Sequence, residues 1–83
     1  MRLEIGGSEG NPFSLLAQAR SMCRQLNRLE DWPPMMEKMM GGTYSHLLET
    51  MRESFPELEI EFTLNGETVQ PQDLGHTSHR RSA

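Results

Sequence analysis

The hydrophobic period of this chain changes between its ends and its middle, and that change restricts it to a mixed architecture. Leu58, Ile60, Phe62 and Leu64 alternate with Glu59, Glu61 and Thr63, the period of two that turns one face of a strand toward a core. Met1, Leu3 and Ile5 alternate in the same way with Arg2 and Glu4. Between them, Leu15, Ala19, Met22, Leu26 and Leu29 follow in steps of four, three, four and three, a helical stripe that Leu16 and Cys23 widen.

Punctuating residues divide the segments. Asn11 can cap the free amides of a helix that Pro12 opens, and the helix is expected to run to Glu30-Asp31, because Pro33-Pro34 biases Trp32 away from helical angles. The two prolines can open a short second helix through Met40, ended by Gly41-Gly42. Thr43 then caps a third stretch, in which Tyr44, Leu47, Leu48, Met51 and Phe55 recur at helical spacing before Pro56. The second and third pieces read equally as two helices or as one kinked at the glycines. Asn65-Gly66 supplies the positive φ angles of a two-residue hairpin turn, with Glu67–Gln70 as the returning strand.

The expected fold is therefore α+β in the order β-α-α-β-β. A two- to three-stranded antiparallel sheet packs one face, formed by Leu3, Ile5, Leu58, Ile60 and Phe62, against a helical hairpin. Residues 1–70 form the domain. From Pro71 to Ala83 only Leu74 is substantially apolar, which predicts a disordered tail.

Composition bounds function. A chain of 83 residues makes one domain with a small core. A net charge of −4 opposes non-specific binding to a phosphate backbone, so nucleic acid is a disfavoured partner. Cys23 stands alone, which rules out an internal disulfide and a cysteine zinc site and favours the reducing cytoplasm. No run approaches the roughly 20 apolar residues that span a bilayer, so no membrane partner is expected.

Three surfaces are candidates for binding. Met35, Met36, Met39 and Met40 cluster at helical spacing, and such thioethers either pack an irregular core, form an adaptable partner surface or ligate Cu(I). Covering most of the helix circumference, they cannot all be buried. Glu57, Glu59 and Glu61 line one face of the expected strand and present an acidic ladder to a basic partner, or a solubilising outer face. Arg20, Arg24 and Arg28 repeat every four residues and either grip the phosphates of a nucleic acid or a carboxylate-rich partner, or form a solvated helix side. His46 reads as a surface or capping residue, Cys23 as a small buried hydrophobe, and the His76/His79 pair as an incomplete metal site. No residues group into a catalytic set and no cofactor is implied, which favours a binding protein over an enzyme.

The short N-terminal strand, the glycine-rich residues after it and Asn11-Pro12-Phe13-Ser14-Leu15-Leu16 resemble small uncharacterised proteins of bacteriophages and other mobile elements. The run from Met39 to Thr50, with its Gly-polar-Tyr turn into the last helix, is similar to a second segment of theirs. The likeness covers roughly residues 1–62. It implies a phage or prophage product inside a bacterial cell and carries over no functional residue. The leading expectation is an accessory protein that binds a host or phage protein, such as a nucleic-acid-binding complex of a bacterial defence system, as its inhibitor. A small dimeric nucleic-acid-binding regulator and a self-associating assembly protein are the alternatives, and a homodimer suits either.

Overall fold

A computed structural model describes residues 1–75. The chain is α+β: strand β1 (Arg2–Glu4), helices α1 (Pro12–Gln25), α2 (Trp32–Met40) and α3 (Tyr44–Ser54), strands β2 (Glu61–Leu64) and β3 (Glu67–Val69), and a short helix α4 (Pro71–Gly75). The sheet order is β1-β2-β3. The hairpin β2-β3 is antiparallel, with Thr63 opposite Thr68, whereas β1 runs parallel to β2, with Leu3 beside Phe62. The sheet is thus mixed, not antiparallel.

The reason is the number of helices between β1 and β2. Pro34 near the start of α2 and Ser54 at the end of α3 line one cleft, and Met40 and Tyr44, from the opposite ends of the same helices, line another together with Phe13 of α1. The three helices therefore run alternately up and down. Three passes return the chain in its original direction, where the expected pair would have reversed it; a parallel pair needs a crossover of this kind.

Local signals account for most element boundaries. The Ser14 amide donates to Asn11 Oδ1 at 2.9 Å and the His46 amide to Thr43 Oγ1 at 3.1 Å, so both expected caps form. Asn65 and Gly66 have φ of 53° and 89°, as the hairpin turn requires. Helix α1, however, stops at Gln25 and not near Glu30. Asn27 takes φ 59°, its amide donates to the Arg24 carbonyl, and the Arg28 amide donates to the Cys23 carbonyl at 2.7 Å. This is a Schellman stop with asparagine in place of the usual glycine. Trp32 is helical despite the prolines after it, with φ −64° and ψ −47°, because a 3₁₀ turn over Leu29–Asp31 leads straight into α2 and the indole packs against the core.

The strand expected from Leu58 begins only at Glu61. Pro56–Leu58 forms a 3₁₀ turn, and Glu59 adopts a left-handed φ of 48° that redirects the chain. Pro71–Gly75, placed by composition in the tail, is a helix packed on α3. Pro71 is fully buried, Ser45 Oγ donates to its carbonyl at 2.5 Å, and Arg52 donates to the Gln70 side chain at 3.1 Å. The rest of the expected tail, 76–83 with His76 and His79, lies outside the described residues.

The core lies between the sheet and the helices. Leu3, Ile5, Ile60 and Phe62 meet Leu15, Ala19, Met22 and Cys23 of α1, Met35 and Met39 of α2, and Leu47, Leu48, Met51 and Phe55 at and beyond α3. Met1, expected on the same strand face, is 48% exposed. The opposite sheet face carries Arg2, Glu4, Glu61, Thr63 and Thr68.

Candidate functional site

The methionine cluster divides by helix geometry. Met35 and Met39, one turn apart, are buried in the core, where the Cys23 Sγ approaches Met35 Sδ at 3.9 Å. Burial also pushes the Cys23 thiol above its ordinary pKa, which suits an inert packing role. Met36 and Met40 form the next pair round α2 and stay exposed, Met40 at 61%. The four thioethers face two different environments and do not converge on one point, so they form no common copper site. Among the described residues no group of His, Cys, Asp and Glu is placed to hold a metal ion.

Met40 borders an apolar groove of about 250 Å³ between the start of α1 and the α2–α3 junction. Pro12, Phe13 and Leu16 form one wall, and Met39, Met40, Gly42, Thr43, Tyr44 and Leu47 form the other. Phe13 stands at the rim, 80% exposed, the most exposed large apolar side chain among the described residues. Its exposure is legible in the pattern. The buried stripe of α1 runs Leu15, Ala19, Met22, and Phe13 precedes it by two residues, about 200° round the helix at ~100° per residue.

Two polar contacts tie together the elements around the groove. The Tyr44 hydroxyl donates to the Gly10 carbonyl, tying the approach to α1 to the start of α3, and burial raises the phenol pKa. The His46 ring lies against Gly42, where an added Cβ would come within 2.9 Å of it, and His46 Nε2 is 2.9 Å from the Lys38 carbonyl. His46 therefore satisfies a carbonyl in the last turn of α2 from the first turn of α3, the capping role expected of it. No lining residue is an acid or a strong base, so an apolar group entering the groove strips water from no charge.

The glutamate ladder is not assembled. Glu57 lies in the 3₁₀ turn and pairs with Arg28 at 3.0 Å, Glu59 lies at the left-handed bend, and only Glu61 is on β2, where Arg2 faces it at 3.4 Å. Nor do the three arginines form one stripe. With α1 ended at Gln25, Arg28 leaves the helix and becomes a clamp. It pairs with Asp31 and Glu57, donates to the Ser54 carbonyl at 3.0 Å, and lies 5.3 Å over the Phe55 ring. Arg20 and Arg24 remain exposed on α1, and neither forms an ion pair with a described residue.

A second, wider cleft of about 520 Å³ opens at the other end of α2 and α3, lined by Arg28, Asp31, Lys38, Glu53 and Glu57 with Pro34 and Pro56. Its principal charges neutralise one another. No helix among the described residues is long and apolar enough to cross a membrane. No known protein family matches the chain, and no curated protein or solved structure matches it.

Proposed function

We propose that this chain is a protein-binding module that docks a segment of a partner protein in the apolar groove beneath Phe13. The observation that carries the reading is the pairing of an 80% exposed phenylalanine with a 61% exposed methionine on the rim of an uncharged groove. Covering an aromatic side chain of this size is worth roughly 1.5–3 kcal/mol, and this domain does not collect that gain within itself. Contiguous exposed apolar surface of this kind marks interaction sites, and methionine adapts to the shape of what it meets. Met36, one turn from Met40 on the same side of α2, extends the patch. Of the surfaces suggested by the sequence, the exposed methionines thus support binding best. The glutamates are dispersed, and two arginines on an acidic domain suit nucleic acid poorly.

In this reading the chain acts by occupying its partner and not by catalysis. The likeness to small phage and mobile-element proteins suggests a host or phage protein as that partner, with inhibition of a bacterial defence complex as the specific role. Affinity capture from bacterial lysate, run in parallel with the native chain and with the double variant Phe13→Asp/Met40→Asp, tests the groove. A stoichiometric protein partner retained by the native chain and lost by the variant is the expected result. Equal recovery on both would remove the groove from the interface.

A further inference from the structure

The exposed side of α1 does not end at Phe13. At about 100° per residue, Phe13, Arg20 and Arg24 fall within about 20° of one line along the helix, and all three are exposed. From the aromatic ring to the second guanidinium the line runs about 16 Å, at ~1.5 Å per residue. No carboxylate occurs between Glu9 and Glu30, so α1 carries two positive charges and no negative one in a molecule of net charge −4. Arg24 in the last turn gains from the helix dipole, but Arg20, more than a turn earlier, has no such reason to be there. An apolar anchor point therefore continues directly into an uncompensated basic strip.

We propose that the occupant of the groove is an acidic amphipathic segment of a partner protein. It lies along the outer side of α1 with a large apolar side chain between Phe13 and Met40 and its carboxylates against Arg20 and Arg24. This rests on the groove being a docking site and adds the chemistry of what docks. Arginine pairs with carboxylates in a planar, bidentate geometry, and such charges set register and partner choice along a surface whose anchor is apolar. A nucleic-acid strand is the poorer occupant, because two arginines release few counterions and the groove wants an apolar group. A second copy of the chain would bring net charge −4 against −4.

The test is selection of a displayed library of random peptides of about 16 residues, long enough as a helix to cover the strip, on the intact chain at low salt. Enriched peptides should carry a large apolar residue and a cluster of Asp or Glu roughly ten residues from it. Their binding should fall at least about tenfold with Phe13→Ala and about tenfold with Arg20→Glu/Arg24→Glu, and should weaken as salt is raised. Peptides with lysine in place of the acids should bind the reversed-charge variant. Both variants change exposed side chains, and circular dichroism confirms that they fold; Arg20→Gln/Arg24→Gln serves as the milder control. Peptides that need Phe13 but lack acids and ignore Arg20 and Arg24 would overturn this inference and leave the groove reading standing. No enrichment, or binding untouched by Phe13→Ala, would overturn both. Self-association abolished by Phe13→Ala in sedimentation would make the occupant a second copy, and a DNA gel shift lost only with Arg20→Glu/Arg24→Glu would make it a nucleic acid; either result overturns the acidic segment.

Discussion

The two openings in the helical layer lie at opposite ends of α2 and α3, and they are built on opposite principles. At the wide cleft every strong charge near Arg28 has a partner: Asp31 and Glu57 face its guanidinium, the Ser54 carbonyl takes another of its hydrogens, and Phe55 lies beneath it. At the narrow groove the polar groups are satisfied, but Phe13 and Met40 are left in water. The wide cleft is therefore satisfied within the domain, while the groove leaves apolar surface uncovered. A phenylalanine marks each end, Phe55 wholly buried and Phe13 largely exposed.

That contrast can be broken at several points. The largest effect is expected from Phe55→Ala, which empties a fully buried site under the Arg28 clamp and should cost about 3–5 kcal/mol in urea unfolding. A loss below about 1 kcal/mol would show that the clamp end is not the domain's anchor. Arg28→Ala should lower the thermal midpoint by less than Phe55→Ala does, since it leaves Asp31 and Glu57 without their cation. High salt should narrow its difference from the native chain; equal midpoints at low salt would mean that the pairs contribute nothing.

Asn27→Ala probes the stop that sends Arg28 into the clamp. A β-carbon without the asparagine amide is strained at φ 59°, so about 1–2 kcal/mol should be lost, while Asn27→Gly should be close to neutral. If both variants behave alike, backbone strain is not what the position manages.

A second self-satisfied charge sharpens the comparison on the sheet. The Asn65 amide and the Thr63 hydroxyl, with the Gly66 and Gly6 amides, hydrogen-bond the Glu4 carboxylate and hold its pKa below the ordinary 4.5. A carboxyl whose folded pKa is depressed stabilises the fold above its unfolded value, and that contribution disappears as pH falls from about 4.5 through the folded value. Stability measured across this range should therefore fall less steeply in Glu4→Gln than in the native chain, and identical slopes would exclude Glu4 as a contributor. The smallest effect is expected at the groove rim: Phe13→Ala should leave urea stability within about 0.5 kcal/mol of native. A loss comparable to that of Phe55→Ala would mean that Phe13 supports the fold and is not held for a partner.

Much of this arrangement was legible residue by residue, because caps and turns are decided within four or five positions. Asn11 and Thr43 cap the helices they precede, Asn65-Gly66 turns the hairpin, and the two-residue and three-to-four-residue periods give the type of each main segment, though not the end of α1 or the start of β2. Asn27 belongs to the same short-range class and shows that the stripe through Leu26 and Leu29 outweighed a stop signal lying between them. Phe13 likewise stood out of phase with the buried stripe, so the groove's rim was readable even though its opposite wall was not.

The sequence by itself therefore determined the α+β class, the β-α-α-β-β order, the starts of α1 and α3, the hairpin and the expectation that some methionines face water. Only the tertiary structure decided that β1 lies parallel to β2, that Glu57 and Glu59 leave the strand face, that Arg28 clamps Ser54 and Glu57 while Arg20 and Arg24 stay exposed, and that Met40 meets Phe13. These outcomes rest on contacts between residues some 20 to 60 positions apart. Local propensity acts over one turn of helix. Strand direction, ion-pair choice and the walls of a groove are set by which elements close on one another, and burial of the shared core makes that choice.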